Sequence, residues 1–203
     1  GYGVFEGDSV CPGVSSADSV AGLGAYIEFD VAAGETVMAR AASSFTSFAG
    51  AFANLRAEMP AWDFDGARRR LSDIWLKHLG KIRVEGGSDT DMIKFYSALY
   101  RCSFLPHATN DADGSYPSFA GGKEIIKAPA GHDYYDDFSL WDTYRALHPL
   151  LLILEPERSA DMMQSLVCKY EQGGWMPIFP CWNSYTAAMI GDHVASVVAD
   201  AYV

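Results

Sequence analysis

The hydrophobic pattern of this chain changes period near residue 46, and that change limits the folds open to it. Before it the period is two. Residues 25–31 alternate apolar and polar side chains, as a half-buried strand does. Residues 32–35 read as a turn and residues 36–41 as a second strand. Two strands alone are marginal in water, so the pair is expected to be the end of a larger β-domain. After residue 46 the period is near 3.6. An amphipathic stretch over 48–59 stops before Pro60. Asp63 or Asp65 can cap the next helix, in which Phe64, Ala67, Leu71, Ile74, Trp75 and Leu79 recur at helical spacing up to Gly80. Residues 81–84 look like a brief strand. A third helix is expected from about Asp89 to Phe104, with Met92, Phe95, Tyr96, Leu99 and Tyr100 facing inward and Pro106 beyond its end. Another begins near Ser139 and is broken or kinked at Pro149. Pro156 opens the next, which carries Met162, Met163, Leu166, Val167 and Tyr170 and stops at Gly173-Gly174. The last is expected from Thr186, with Met189, Ile190, Val194, Val197 and Val198 on one side.

Two elaborate stretches interrupt the helices. Residues 106–138 are rich in Gly, Asp, Pro and Tyr, and a connection of that length inside a compact domain is uncommon unless it is functional. Residues 175–183 form a second aromatic loop. Helices joined by alternating short and elaborate loops build bundles, solenoids or toroidal α/α barrels. No sequence repeat of fixed period supports the solenoid. Elaborate loops at one end of a rigid scaffold are where binding residues sit.

Composition narrows the function classes. The formal net charge is −11, and the one basic run, Arg68-Arg69-Arg70, lies in a helical pattern beside acidic residues. It reads as a solvated helix face, so no nucleic-acid surface is expected. No apolar stretch is long enough to span a membrane. None of the four cysteines, Cys11, Cys102, Cys168 and Cys181, forms a C-x-x-C pair, which argues against a structural zinc site. Buried thiols and disulfides both remain open for them. There is no Gly-x-Ser-x-Gly elbow, P-loop or dinucleotide fingerprint. Residues 110–114 faintly resemble a calcium loop but lack the Glu at its twelfth position, and read as a turn. No signal peptide is visible, the sequence opens on Gly1-Tyr2-Gly3, and it closes within a helical pattern, so both ends read as cuts.

Three segments hold the groups that could do chemistry: residues 131–145, 173–177 and 189–193. Trp141-Asp142 falls at a loop-to-helix junction. A carboxylate there can accept hydrogen bonds from vicinal sugar hydroxyls while the indole walls the ring. Equally, Asp142 can cap the helix or pair with Arg145 three residues on. Trp175 follows a double glycine, which lets the chain turn sharply and present the ring, or fold it onto the core. Asp192-His193 lies inside the last helical pattern and either faces a pocket or satisfies a neighbouring loop. His132, Tyr134 and Tyr135 precede the key helix and could line a cleft or pack.

Residues 138–150, beginning Phe138-Ser139-Leu140-Trp141-Asp142-Thr143-Tyr144-Arg145, closely resemble the hallmark of glycoside hydrolase family 92. Tyr170-Glu171-Gln172-Gly173-Gly174-Trp175-Met176-Pro177, Met189-Ile190-Gly191-Asp192-His193 and Ala199-Asp200-Ala201-Tyr202 resemble its next blocks in order. Pro60-Ala61-Trp62-Asp63-Phe64-Asp65 and Phe95-Tyr96-Ser97-Ala98-Leu99-Tyr100 resemble earlier ones. The resemblance implies a secreted, periplasmic or cell-surface exo-α-mannosidase that inverts configuration and needs calcium. It implies a mainly α fold: part of an (α/α)6 toroidal barrel, preceded by the last strands of a β-sandwich. Residues 1–45 would end the sandwich, 46–80 form a helical linker and 81–203 the first part of the barrel. The general acid and base that inversion needs, and most calcium ligands, would lie beyond residue 203. Trp141 and Asp142 would contact the terminal mannose of a glycan, with Trp175, Asp192, His193 and His132 near the same pocket. The alternatives are a trehalase-like or glucoamylase-like α/α-barrel glycosidase and a noncatalytic glycan-binding helical module. A partial barrel would leave apolar helix faces uncovered, so these residues alone are expected to be poorly soluble or molten.

Overall fold

A computed structural model describes residues 1–18 and 21–203, which divide into two units, Gly1–Ala39 and Arg40–Val203. The first is a three-stranded antiparallel sheet. Strand β1 (Tyr2–Glu6) lies between β2 (Ser9–Pro12) and β3 (Leu23–Ile27). The left-handed Gly7 (φ 58°) allows the tight turn from β1 to β2. Gly24 leaves room for Phe5 across the ladder, since a Cβ there would lie 2.0 Å from the ring. The sequence reading placed strands at 25–31 and 36–41. Only the first overlaps a strand, and residues 36–41 form none. Alternation marks one buried face but not a pairing partner, and a strand exists only where its backbone finds a ladder. The residues that follow are tied to another segment instead. Ser44, Thr46 and Asn54 all donate to the Asp111 carboxylate in the 110–114 turn. Burial alone would raise the Asp111 pKa, but these hydrogen bonds outweigh it and hold the carboxyl below the usual range.

The second unit is helix-rich with short strands. Helix α1 (Phe48–Glu58) is capped by Ser47, and α2 (Phe64–Leu79) by Asp63, whose carboxylate accepts from Gly66 N at 2.8 Å. Helix α3 (Asp89–Arg101) opens with a reciprocal Ser88–Asp91 capping box and ends three residues short of the expected Phe104. No strand forms over 81–84. The long segment that follows is not a free loop. It holds β4 (His107–Ala108), β5 (Ser115–Pro117), β6 (Ile125–Lys127) and β7 (Tyr135–Asp136), paired antiparallel as β4–β7 and β5–β6.

Next come α4 (Leu140–Thr143), α5 (Leu147–Leu154) and α6 (Pro156–Gly173). The break expected at Pro149 falls earlier, at residues 144–146. Pro149 sits in the first turn of α5, where a missing N–H is harmless. Gly174, left-handed at φ 86°, ends α6. The expected helix from Thr186 starts only at His193. Residues 180–181 (β8, Pro180–Cys181) and 184–185 (β9, Ser184–Tyr185) form a hairpin, and α7 runs His193–Tyr202. Left-handed Ala187, Met189 and Gly191 forbid a helix in between. The core gathers Tyr135, Phe138, Leu140, Leu151, Met162, Met163, Leu166, Val194 and Val197, from β7 and α4 to α7. Helices α2 and α3 meet at an aromatic seam, with Trp75 and Tyr100 rings 4.5 Å apart. They leave Phe64, Leu71, Ile74, Leu76 and Ile93 exposed.

Candidate functional site

A buried charge anchors the loops around the site. Lys169 on α6 is fully buried, with its ammonium 2.9 Å from Asp136 Oδ1 of β7. It donates to the Tyr134 hydroxyl at 2.6 Å and lies 4.0 Å from that ring's centre. Burial pulls the lysine pKa down to about 8, against the opposing pull of Asp136. Burial likewise raises that of Tyr134. The Tyr134 hydroxyl donates onward to Asn183 Oδ1 at 2.8 Å, and Asn183 N donates to Asp136 Oδ2 at 2.5 Å. Asn183 Nδ2 donates to the Pro117 and Ser118 carbonyls. Tyr134 stacks on Tyr116, which accepts from Gln172 of α6. One network therefore locks β5, β7, α6 and the β8–β9 hairpin together. The sequence reading missed Lys169 and Asp136. One signal was present: Lys169 follows Met162 and Leu166 at helical spacing on the apolar face of α6.

The segment leaving this anchor leads straight to the Trp141-Asp142 pair. Phe138 N donates to the Pro180 carbonyl at 3.1 Å. The Asp137 carboxylate accepts from Trp182 N at 3.0 Å and lies 3.2 Å from His107 Nδ1. Ser139 precedes α4 but does not cap it. Its hydroxyl donates to Asp142 Oδ2 at 2.5 Å. Asp142 Oδ1 takes no hydrogen bond from the described residues. Arg145 does not pair with Asp142. Its guanidinium lies 5.6 Å from the Tyr144 ring centre. Trp141 is 42% exposed. The Tyr144 ring stacks on His193 at 4.2 Å and 11°, and so joins the end of α4 to the start of α7. Asp192 and His193 are therefore at a helix start, not inside a helix, and Asp192 is exposed. Gly191 (φ 92°) makes the approach possible, since a Cβ there would meet His193 Nε2 at 2.4 Å.

Trp175 is 78% exposed and held out from the core by its backbone. Its N–H donates to the Tyr185 hydroxyl at 3.1 Å, and that hydroxyl donates to the Trp175 carbonyl at 2.6 Å. The Tyr185 ring sits edge-on to buried Phe119. His132 is elsewhere. Its Nδ1 lies 2.6 Å from Asp161 Oδ1, and Asp161 is twelve residues before Gly173 on α6, about 18 Å along the helix axis. The structure brings the end of α4 to the start of α7 through Tyr144 and His193, and pairs His132 with Asp161, apart from Trp175. Among the described residues, no three His, Cys, Asp or Glu side chains come together as a metal site.

Residues 50–203 match the family described as the glycosyl hydrolase family 92 catalytic domain. The chain belongs to family 92. It is 27% identical over 188 residues to an uncharacterized secreted glycosidase of Arthroderma benhamiae, an alignment covering 89% of this chain and 19% of that protein. Two solved structures from Bacteroides thetaiotaomicron also superpose on it. A family 92 α-mannosidase matches with 30% identity and a TM-score of 0.83, over 98% of this chain and 27% of that one. A family 92 inverting mannosidase matches with 31% identity and a TM-score of 0.82, over 99% and 27%. The chain thus spans about a quarter of the length of the solved relatives. Family membership sets aside the trehalase-like and glucoamylase-like readings. No helix is long and apolar enough to cross a membrane among the described residues.

Proposed function

We propose that the protein to which this chain belongs removes terminal α-linked mannose from glycans, with inversion and with calcium. The observation that carries the reading is the match of nearly the whole chain to solved family 92 mannosidases, one of them described as inverting. In this reading the (α/α)6 barrel begins at residues 81–203, after a linker at 46–80 and the end of a β-sandwich at 1–45. In this reading the protein is secreted, periplasmic or displayed at the cell surface; a curated relative is described as a secreted glycosidase.

The described residues supply sugar binding and not the proton transfers. The Ser139 hydroxyl fixes one Asp142 oxygen, which leaves the other to accept hydroxyls of the terminal mannose. Trp141 walls the apolar face of the ring beside it. Tyr144 and His193, stacked face to face, brace the same neighbourhood. Inversion requires a carboxylic acid at the leaving oxygen and a carboxylate base behind a water, about 6.5–9.5 Å apart. Both would come from beyond residue 203. Calcium would coordinate sugar hydroxyls, and the described residues by themselves form no cage for it.

The test is an assay of the full gene product on an aryl α-mannoside. Release that stops with a chelator and returns with calcium supports the reading. Release indifferent to chelation removes the calcium requirement, and no release removes the mannosidase.

A further inference from the structure

The hairpin tip holds a tryptophan where a hairpin prefers small residues. β8 and β9 are joined by Trp182-Asn183, with both residues left-handed at φ 53° and 55°. Such two-residue turns favour Asn, Asp and Gly, and a bulky side chain there is strained. Asn183 suits the position and Trp182 does not. The strain is held in place by the surrounding contacts. Trp182 N is bound by the Asp137 carboxylate, and Asn183 is bound through both its backbone and its side chain to the Lys169–Asp136–Tyr134 network. The ring itself does no packing work. It is 86% exposed and stacks on no other aromatic ring among the described residues. A strained, rigidly supported and exposed ring points to a contact outside these residues. Its location suggests which one. Asp137, which fixes Trp182, is four residues before Trp141, at most about 14 Å of extended chain away.

We propose that Trp182 is a specificity-determining platform that stacks on the sugar ring next to the terminal mannose. This rests on the mannosidase reading above, with Trp141 and Asp142 holding the terminal ring. An indole offers a large flat apolar face at little conformational cost, and the hairpin presents it already oriented.

The experiment compares the full-length enzyme with its W182N variant on two substrates. α-Mannosyl fluoride has a terminal sugar and nothing beyond it. An α-linked mannobiose has the next ring. Asn removes the indole and accepts the left-handed turn, so the hairpin survives and the melting temperature holds or rises. The ratio of kcat/KM for mannobiose to that for the fluoride is expected to fall about five- to tenfold, the scale of one lost ring contact. An unchanged ratio in an active variant overturns the platform alone. So does a lower melting temperature with equal losses on both substrates, which would seat the ring against another part of the protein. If the unsubstituted enzyme releases mannose from neither substrate, the mannosidase reading falls and the platform with it.

Discussion

At the scale of single residues, two carboxylates show how differently the same group is used. Asp142 is exposed, with one oxygen bound by Ser139 and the other open. In the full-length enzyme, Asp142→Ala is expected to lower kcat/KM on an aryl α-mannoside by about 100-fold or more, the scale of two lost charge-assisted hydrogen bonds. Its melting temperature should barely move. A large loss of stability with unchanged kinetics would make Asp142 structural instead. Asp136 is the reverse case, buried with Lys169 and part of the scaffold. Removing one partner strands a charge in a dry site, so Lys169→Met is expected to cost about 3–5 kcal/mol in urea unfolding. A Lys169→Met, Asp136→Asn double variant should cost less than that single change, because no charge is left unpaired.

At the scale of elements, the loop between α6 and α7 depends on a missing side chain. A Cβ on Gly173 would lie 2.4 Å from the Tyr185 hydroxyl that fixes Trp175. Gly173→Ala should therefore push Tyr185 away and destabilise by about 1–3 kcal/mol, read by chemical denaturation. Helix α5 brings a second test through His148, buried against Phe138 with no hydrogen-bond partner for Nε2 among the described residues. Burial lowers its pKa from 6.5 to about 4. The unfolded chain then binds the proton more readily than the folded one between those values, so stability is full above pH 6.5 and declines as pH falls toward 4. The loss is about 3 kcal/mol from the size of the shift. His148→Leu should flatten that part of the melting-temperature profile; a profile unchanged by the substitution would remove His148 as its cause.

For the whole molecule, the exposed apolar side chains matter most. Phe64, Leu71, Ile74 and Leu76 on α2, Ile93 on α3 and Ile153 on α5 all face outward. Large apolar side chains exposed in such number are rarely left to water. The 203-residue polypeptide expressed alone is expected to bind a hydrophobic dye and to melt without a sharp transition. A cooperative melt with no dye binding would contradict this.

Much of the helix inventory was legible in the sequence, because periodicity and caps are local. Ser88 with Asp91, Asp63 before α2, Pro156 at the start of α6 and Gly174 at its end each act within a few residues of their own backbone. The family was legible for the same reason: its blocks are short runs in fixed order. What tertiary structure decided was everything that depends on partners distant in sequence. Tyr2–Glu6 became the central strand through its two neighbours, while the 36–41 segment, read as a strand, found none. The apolar run at Met189 and Ile190 looked helical, yet left-handed residues and the hairpin before it delay α7 until His193. His132 lies close to Trp141 in sequence but is drawn to Asp161, while His193 is far away in sequence and stacks on Tyr144. Lys169 could be read as an oddly placed charge on an apolar face. Only the fold brings Asp136, Tyr134 and Asn183 around it, because a buried ammonium is tolerated where several segments supply its partners at once.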